Sequence, residues 1–467
     1  MLFINKSKNT IHVTDLEVNI PYLEDLSPQE ISLDQAKQSE AFRKLIKMGA
    51  VEIVESSCGN SLFERNLMKL QKSSFTFFGP MEEMTREPVV EDKRIEVRFR
   101  GHFYEHGGYA KVNRNLATGL NQLGAKVCIE PVNRNNQLSE NEFQNLVKIS
   151  ENVSKNAIVL ESIIPTFSNS VCGKYRILYT TIEAETIPQQ FVEIANGYNE
   201  IWVVSDFCKD VLSKYQVRPP VFVIPNTIDN GLYNENCEPY IFKPSLKDFV
   251  FISVFGWSYR KGYDVLLKAY LSEFSGDDPV SLLIMSRNHL GIGKDDVIRD
   301  TIDKFIKEYG GSNPAHIARC SKSVPEMSMP GIYKACDAYV SYSRGEAWGL
   351  GYCEAALCGL PVIGTKCSGQ TMFLKDDNSY LLEVDKMAKM PPGLMQIHYW
   401  DGQVFPQLTS PETIASARKL LREVYENYDQ AKKKNKGLQQ FVSDNYSIGR
   451  VSNMAYERLQ TIWEKMT

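Results

Sequence analysis

SRGEAWGLGYCEAALCGLP, residues 343–361, decides how the rest of this 467-residue chain is read. An apolar run at residues 338–340 precedes it and a second run, residues 361–364, follows it, so the stretch reads as strand, turn, helix and strand. The helix is predicted to start near Gly349, to run through Cys353, Glu354, Ala355 and Ala356, and to stop at Gly359, because Pro361 cannot continue it. A glycine-bearing turn between a strand and a helix leaves free backbone N–H groups at the helix start, where the dipole also favours negative charge. Trp348, Gly349 and Leu350 are therefore a candidate phosphate seat.

Two carboxylates border the same mouth. Glu346 lies just before the helix and Glu354 inside it, and helical side chains lean toward the N-terminus, so Glu354 reaches back over the turn. A helical Glu is ordinarily part of a solvated face. Around Glu354, however, Leu350, Ala355, Ala356, Leu357 and Cys358 make the helix apolar nearly all round, and the alternative is a buried carboxylate that requires a partner. Both acids would then face one polyhydroxylated, phosphorylated ligand.

Glu, seven residues, Glu, then Ala-Ala and Cys-Gly-Leu-Pro-Val-Ile resembles the signature of the retaining glycosyltransferases of family 4, which have the GT-B fold. The similarity continues into Ser368-Gly369-Gln370-Thr371 and Asn378-Ser379-Tyr380. It implies that Glu346 meets the transferred sugar and Glu354 the ribose of the nucleotide. One departure is Ala347-Trp348-Gly349-Leu350-Gly351, where the family more often has Gly-Phe-Gly-Leu-Pro; the aromatic and the second glycine are kept.

The length allows two or three domains with ample core, and 43% apolar with 24% charged residues is ordinary for a globular protein. A formal charge of −4 argues against a protein that lives on nucleic acid. No apolar run reaches a membrane span and the N-terminus lacks a signal-peptide profile, so a soluble, cytoplasmic protein is expected. Ten cysteines without a CxxC pair read as reduced core residues.

Residues 1–78 read as a small α+β module: strands near residues 2–4, 10–13 and 51–54, a capping box with proline at residues 27–30, and a helix carrying Phe42, Leu45 and Ile46 that stops at Gly49. It faintly resembles short modules on tailed-phage proteins, which implies docking, assembly or acceptor presentation. Residues 79–94, rich in proline and charge, read as a linker.

Residues 95–235 read as a Rossmann-like domain. A strand at 95–99 feeds a loop, the pair Gly107-Gly108 and a helix with Leu116, Leu120 and Leu123 on one stripe; further strands are predicted at 158–160, 177–180, 201–204 and 221–224. On its own Gly107-Gly108 reads equally as a ligand loop at a helix start or as a tight turn only; the resemblance implies that it closes on the donor's phosphates. Glu183 and Glu185 follow a strand end that opens on a crevice. The resemblance implies that, with Tyr109, they are the acceptor-side candidates, the alternative for the two acids being solvated loop charges.

A second Rossmann-like domain, residues 236–445, is predicted to bind the donor. Its strand at 249–255 leads through Gly256-Trp257-Ser258-Tyr259 to Arg260-Lys261-Gly262, read as the opening of a helix with Val265, Leu266, Ala269 and Tyr270 on its apolar side. Two cations at a helix start oppose the dipole unless an anion sits there. A diphosphate supplies it, Arg260 as a fork and Lys261 as a point charge; the alternative is a solvated basic turn. The family's usual arginine after the first glycine is Trp257 here, so Arg260 takes its part. Ser323 and Val324 stand where similar enzymes seat the base. Helices are predicted at 296–309, 413–427 and 429–445, and residues 446–467 as a terminal helix packing back on the first Rossmann-like domain.

No DxD tripeptide occurs, so neither a metal nor a cofactor is expected. The reading is an α/β protein of GT-B type, two Rossmann-like domains facing across a cleft behind a small N-terminal module. It implies a retaining transferase, with Glu346, Arg260 and Lys261 as catalytic residues and a UDP-sugar as the expected co-substrate. The acceptor stays open between a carbohydrate, a glycolipid and a modified DNA base; a sugar-nucleotide epimerase and a non-catalytic assembly protein are the other readings.

Overall fold

The computed structural model describes residues 94–165, 173–287, 296–321, 324–391 and 401–466, together with the backbone of short strands before residue 54. The chain divides into two compact units, Met1–Glu91 and Asp92–Thr467. The first holds β1 (Leu2–Asn5), β2 (Ile11–Val13), β3 (Val18–Ile20), β4 (Gln29–Glu30) and β5 (Val51–Ile53). β1 lies between β4 and β5, and β2 pairs with β3, all antiparallel. The capping box predicted at residues 27–30 is overridden at its end: Gln29 and Glu30 pair with Phe3 and Leu2, so the ladder serves backbone groups that a cap would otherwise have served. The helix predicted around residues 42–49 and nearly all of the linker fall outside the described residues.

In the second unit the run at 95–99 becomes β6 (Glu96–Gly101), with Val97 and Phe99 fully buried. α1 (Gly108–Gln122) follows the glycine pair. Its Leu116 and Leu120 are fully buried, each worth about 1.5–3 kcal/mol. Leu123, predicted on the same stripe, falls at the C-cap and is exposed. β7 (Lys126–Pro131) leads to α2 (Glu140–Ile149), started by a reciprocal capping box between Ser139 and Glu142. Then come β8 (Ile158–Ser162), β9 (Tyr175–Thr180), α3 (Gln189–Ala195), β10 (Glu200–Val203), α4 (Asp206–Ser213) and β11 (Val221–Val223). The strands form a parallel sheet in the order β11-β10-β9-β8-β6-β7.

A second sheet begins with β12 (Phe249–Gly256), α5 (Tyr263–Glu273), β13 (Val280–Arg287), α6 (Asp296–Tyr309) and β14 (His316–Cys320). It continues through α7 (Met329–Lys334), β15 (Ala338–Ser341), α8 (Leu350–Leu357), β16 (Val362–Thr365) and β17 (Tyr380–Leu382). The order β14-β13-β12-β15-β16-β17 is again parallel. The chain therefore winds outward from β12 and returns on its other side at β15. In open parallel sheets ligands bind beyond the carboxyl ends of the strands at such a reversal.

A two-stranded ribbon, β18 (Met387–Lys389) with β19 (Val404–Pro406), reaches the loop after β9, where Glu185 N–H donates to the Val404 carbonyl at 3.0 Å. The chain closes with α9 (Pro411–Glu426), α10 (Tyr428–Tyr446) and α11 (Ile448–Met466). α11 packs on α1: a Cβ on Gly119 would lie 2.0 Å from Ser452 Oγ, so only glycine permits the approach. Arg458 of α11 grips buried Glu200 of β10, Nε to Oε1 2.9 Å. The chain passes between the sheets after β11 and again near residue 446, and the two passages touch: Ile228 N–H donates to the Tyr446 carbonyl at 2.8 Å. Among the described residues no helix is long and apolar enough to cross a membrane.

Candidate active site

A cleft of about 590 Å³ is lined from both sheets: Gly107, Gly108 and Thr180 from the first, Gly256, Arg260 and Ser341 from the second. Of the six charged groups singled out in the sequence, Arg260, Lys261, Glu183, Glu346 and Glu354 line it and Glu185 does not. Arg260 and Lys261 leave β12, and Glu346 leaves β15, so this cluster sits at the reversal of the second sheet.

The two cations do not open the helix, as the sequence predicted. They form a separate 3-10 turn, Tyr259–Lys261, and α5 starts only at Tyr263. Gly262 between them has φ 69°, and a Cβ there would lie 1.9 Å from the Tyr342 carbonyl oxygen. The chain passes only as glycine in the left-handed region, and that interrupts the helix. Arg344, which the sequence reading overlooked, holds this turn. Its N–H donates to the Arg260 carbonyl at 2.7 Å and its Nη1 to the Tyr259 carbonyl at 2.7 Å. Its guanidinium also makes a buried fork with Asp264, 2.7 and 2.8 Å. Trp257, in the place of the family's arginine, stacks on Tyr263 at 4.3 Å and is buried.

Lys261 Nζ meets Glu346 Oε1 at 2.5 Å, with Arg260 Nη1 3.6 Å from Oε2. Burial alone would raise the Glu346 carboxyl; Lys261 and Arg260 overcome it and hold the group below the ordinary carboxylate value. Burial pushes the Lys261 ammonium down, and Glu346 offsets only part of that. Arg260 reaches Glu183 of the other sheet at 3.0 Å and donates to the Gly345 carbonyl at 2.5 Å. Glu183 therefore lies in the cleft against the cation pair. Glu185 does not line the cleft: its carboxylate, one-third exposed, pairs with Lys214 at 3.1 Å.

Glu354 is 7% exposed, and the partner that its apolar helix called for comes from across the cleft. Lys111 of α1 places Nζ 2.7 Å from Glu354 Oε1, 3.1 Å from Glu326 Oε1 and 2.7 Å from Tyr233 OH. Tyr333 OH donates to Glu354 Oε2 at 3.1 Å. Lys111 was missed, although a cation in the first turn of a helix after a glycine pair poses the same question as Arg260-Lys261.

Gly108 lies against α8, its Cβ position 3.1 Å from Leu350 Cδ1, so the glycine turn and the start of α8 meet across the cleft. Gly349 caps α8 at φ 98°, which favours glycine. Trp348 is 2% exposed and packs edge-on to Tyr446 at 4.6 Å, making it a buried wall of the cleft. Tyr109 bonds Thr181 through its hydroxyl. Val324 lines the cleft beside Cys320; Ser323 falls outside the described residues.

Residues 247–390 match the family described as Glycosyl transferases group 1. The second sheet falls wholly inside that match. Anabaena HepE, solved with UDP and glucose, is similar at 15% identity over 79% of this chain and 100% of its own, TM-score 0.54. Sucrose-phosphate synthase of Thermosynechococcus elongatus is similar at 13% over 80% and 100%, TM-score 0.57. A glycosyltransferase from Rickettsia africae is similar at 15% over 80% and 98%, TM-score 0.56. No curated protein matches the chain. Likeness at such identity speaks for the fold, which is GT-B: two parallel-sheet Rossmann-like domains facing across a cleft.

Proposed function

We propose that the protein is a retaining glycosyltransferase that moves a hexose from a nucleoside-diphosphate sugar to an acceptor hydroxyl. The observation that carries this reading is the Lys261–Glu346–Arg260 cluster at the reversal of the second sheet, inside the stretch that matches Glycosyl transferases group 1. A UDP-sugar is the favoured donor, because similar HepE is solved with UDP-glucose.

In this reading the diphosphate lies against Arg260 and Lys261, the backbone of Gly107 and Gly108, and the start of α8 at Trp348, Gly349 and Leu350. Glu346 takes the sugar hydroxyls and Glu354 the ribose diol; the base lies toward Val324. The bond from the anomeric carbon to the diphosphate oxygen breaks, the acceptor oxygen bonds to that carbon on the same face, and the acceptor's proton goes to the departing phosphate. The leaving group gains negative charge as the bond lengthens, and two fixed cations stabilise that change without reorganisation. No cofactor enters the step. The acceptor approaches from the Tyr109 and Glu183 side.

Incubation with UDP-sugars and a panel of carbohydrate, glycolipid and modified-DNA acceptors, read by NMR, tests the reading. A product with the donor's anomeric configuration supports it. Isomerised donor without acceptor would instead indicate an epimerase, and failure of the protein to bind any nucleoside diphosphate would remove the reading altogether.

A further inference from the structure

The reading above gives Glu354 to the ribose, but the structure shows that carboxylate held from the opposite face of the cleft. We infer that Lys111 is a positioning residue for the donor's ribose, contributed by the first sheet's α1, so that the nucleoside seat on the second sheet is complete only when the two faces meet. The inference rests on the donor-binding reading of the same cleft.

The geometry argues it in three steps. Lys111 and Glu354 lie on α1 and α8, on either side of the cleft, and their charged atoms are 2.7 Å apart. A carboxylate has about four lone-pair sites. Lys111 takes one on Oε1 and Tyr333 one on Oε2, which leaves one on each oxygen for a vicinal diol and fixes the plane of the group. Second, Lys111 is itself confined. Glu326 and the Tyr233 hydroxyl lie on its ammonium, Arg114 pairs with Glu326 at 3.2 Å, and the ammonium lies 4.7 Å from the centre of the Tyr233 ring. Third, burial works against the Lys111 charge, but Glu354, Tyr233 and Glu326 outweigh it and hold the ammonium above the ordinary lysine value. A cation so confined adjusts Glu354 and not itself.

The test compares nucleoside diphosphates with and without the ribose diol. Binding of UDP, GDP, ADP and CDP to the wild type is measured by calorimetry, and the tightest binder is compared with its 2′,3′-dideoxy form. In the wild type the diol form should bind about tenfold more tightly, as expected for a hydrogen bond to a charged group. Lys111→Met should bring that ratio close to one while kcat with saturating donor changes little and KM for donor rises about tenfold. Lys111→Arg should restore most of the discrimination. Thermal unfolding of both variants reports whether they fold. A folded Lys111→Met that keeps the wild-type ratio, or weakens both ligands equally, overturns the inference while leaving the donor site standing. A wild type that binds none of the four overturns the donor reading itself, and the inference with it. If Lys111→Met does not fold, Lys111→Gln is read in its place: a diol ratio below one half of the wild-type value supports the inference, and an unchanged ratio overturns it.

Discussion

Lys261 and Glu346 stand 85 residues apart in the chain, and their charged atoms meet at 2.5 Å on the wall of the cleft. Each is the other's chief counter-charge, and in the proposed reading the two meet the diphosphate and the sugar hydroxyls of the donor. Lys261→Ala and Glu346→Ala are each expected to lower kcat/KM by about a hundredfold or more, the scale of one lost transition-state contact. Steady-state kinetics with a UDP-sugar checks this, and near-normal turnover in both would remove the site assignment.

The same pair links stability to pH. The Glu346 carboxyl is held below its ordinary value of 4.5, so its stabilisation is complete above that pH and is lost as pH falls through the folded-state value. Glu346→Gln lacks this linkage. The gap in melting temperature between wild type and Glu346→Gln should therefore narrow as pH drops below about 4. A gap that stays constant into that acid range contradicts it.

Arg260 is engaged by Glu183 at 3.0 Å, and a donor's diphosphate has to compete with that carboxylate. Glu183→Gln should tighten binding of free UDP by about two- to fivefold, the range of a modest ion pair of up to about 1 kcal/mol. Calorimetry reads this directly; weaker binding would mean that Glu183 organises Arg260 and does not compete for it.

Arg344 is 1% exposed and forks onto Asp264 while fastening Tyr259 and Arg260 through their carbonyls. Removing one partner of a buried pair leaves an uncompensated charge, so Asp264→Asn should cost about 3–5 kcal/mol in denaturant unfolding. Arg344→Met should also raise KM for donor, because the turn that carries both cations loses its anchor. A variant that is destabilised yet binds UDP normally would separate the anchor from the site.

Gly262 makes a sharper case. With φ 69° and the Tyr342 oxygen 1.9 Å from any Cβ, Gly262→Ala should shift Arg260 and Lys261 and reduce kcat/KM at least tenfold. Kinetics on a variant whose thermal unfolding is still cooperative tests it.

Much of this was legible in one line of sequence. The apolar runs on either side of residues 343–361, with Gly349 and Pro361, put a helix where Leu350–Leu357 stands, and of the two readings left open for Glu354, a solvated face or burial with a partner, the structure has the second. Who the partner is could not be read, because Lys111 lies 243 residues away and only the meeting of two domains brings it close. Arg260-Lys261 was read as a helix start because its apolar spacing runs on into α5; the close pass of Tyr342, a tertiary contact, breaks the helix at Gly262. The ribbon of β18 and β19 is too short to show a period, and the fork from Arg344 to Asp264 lies between elements that sequence order does not make neighbours.

The touching passages at Ile228 and Tyr446 give the enzyme-sized unit the mechanics of scissors with one rivet. Because the two crossings are adjacent they give the blades a shared axle, while Glu185–Val404, Arg260–Glu183 and Lys111–Glu354 also tie one blade to the other. Any gaping of the blades is then a swing about that axle, in which the parts farthest from it travel most.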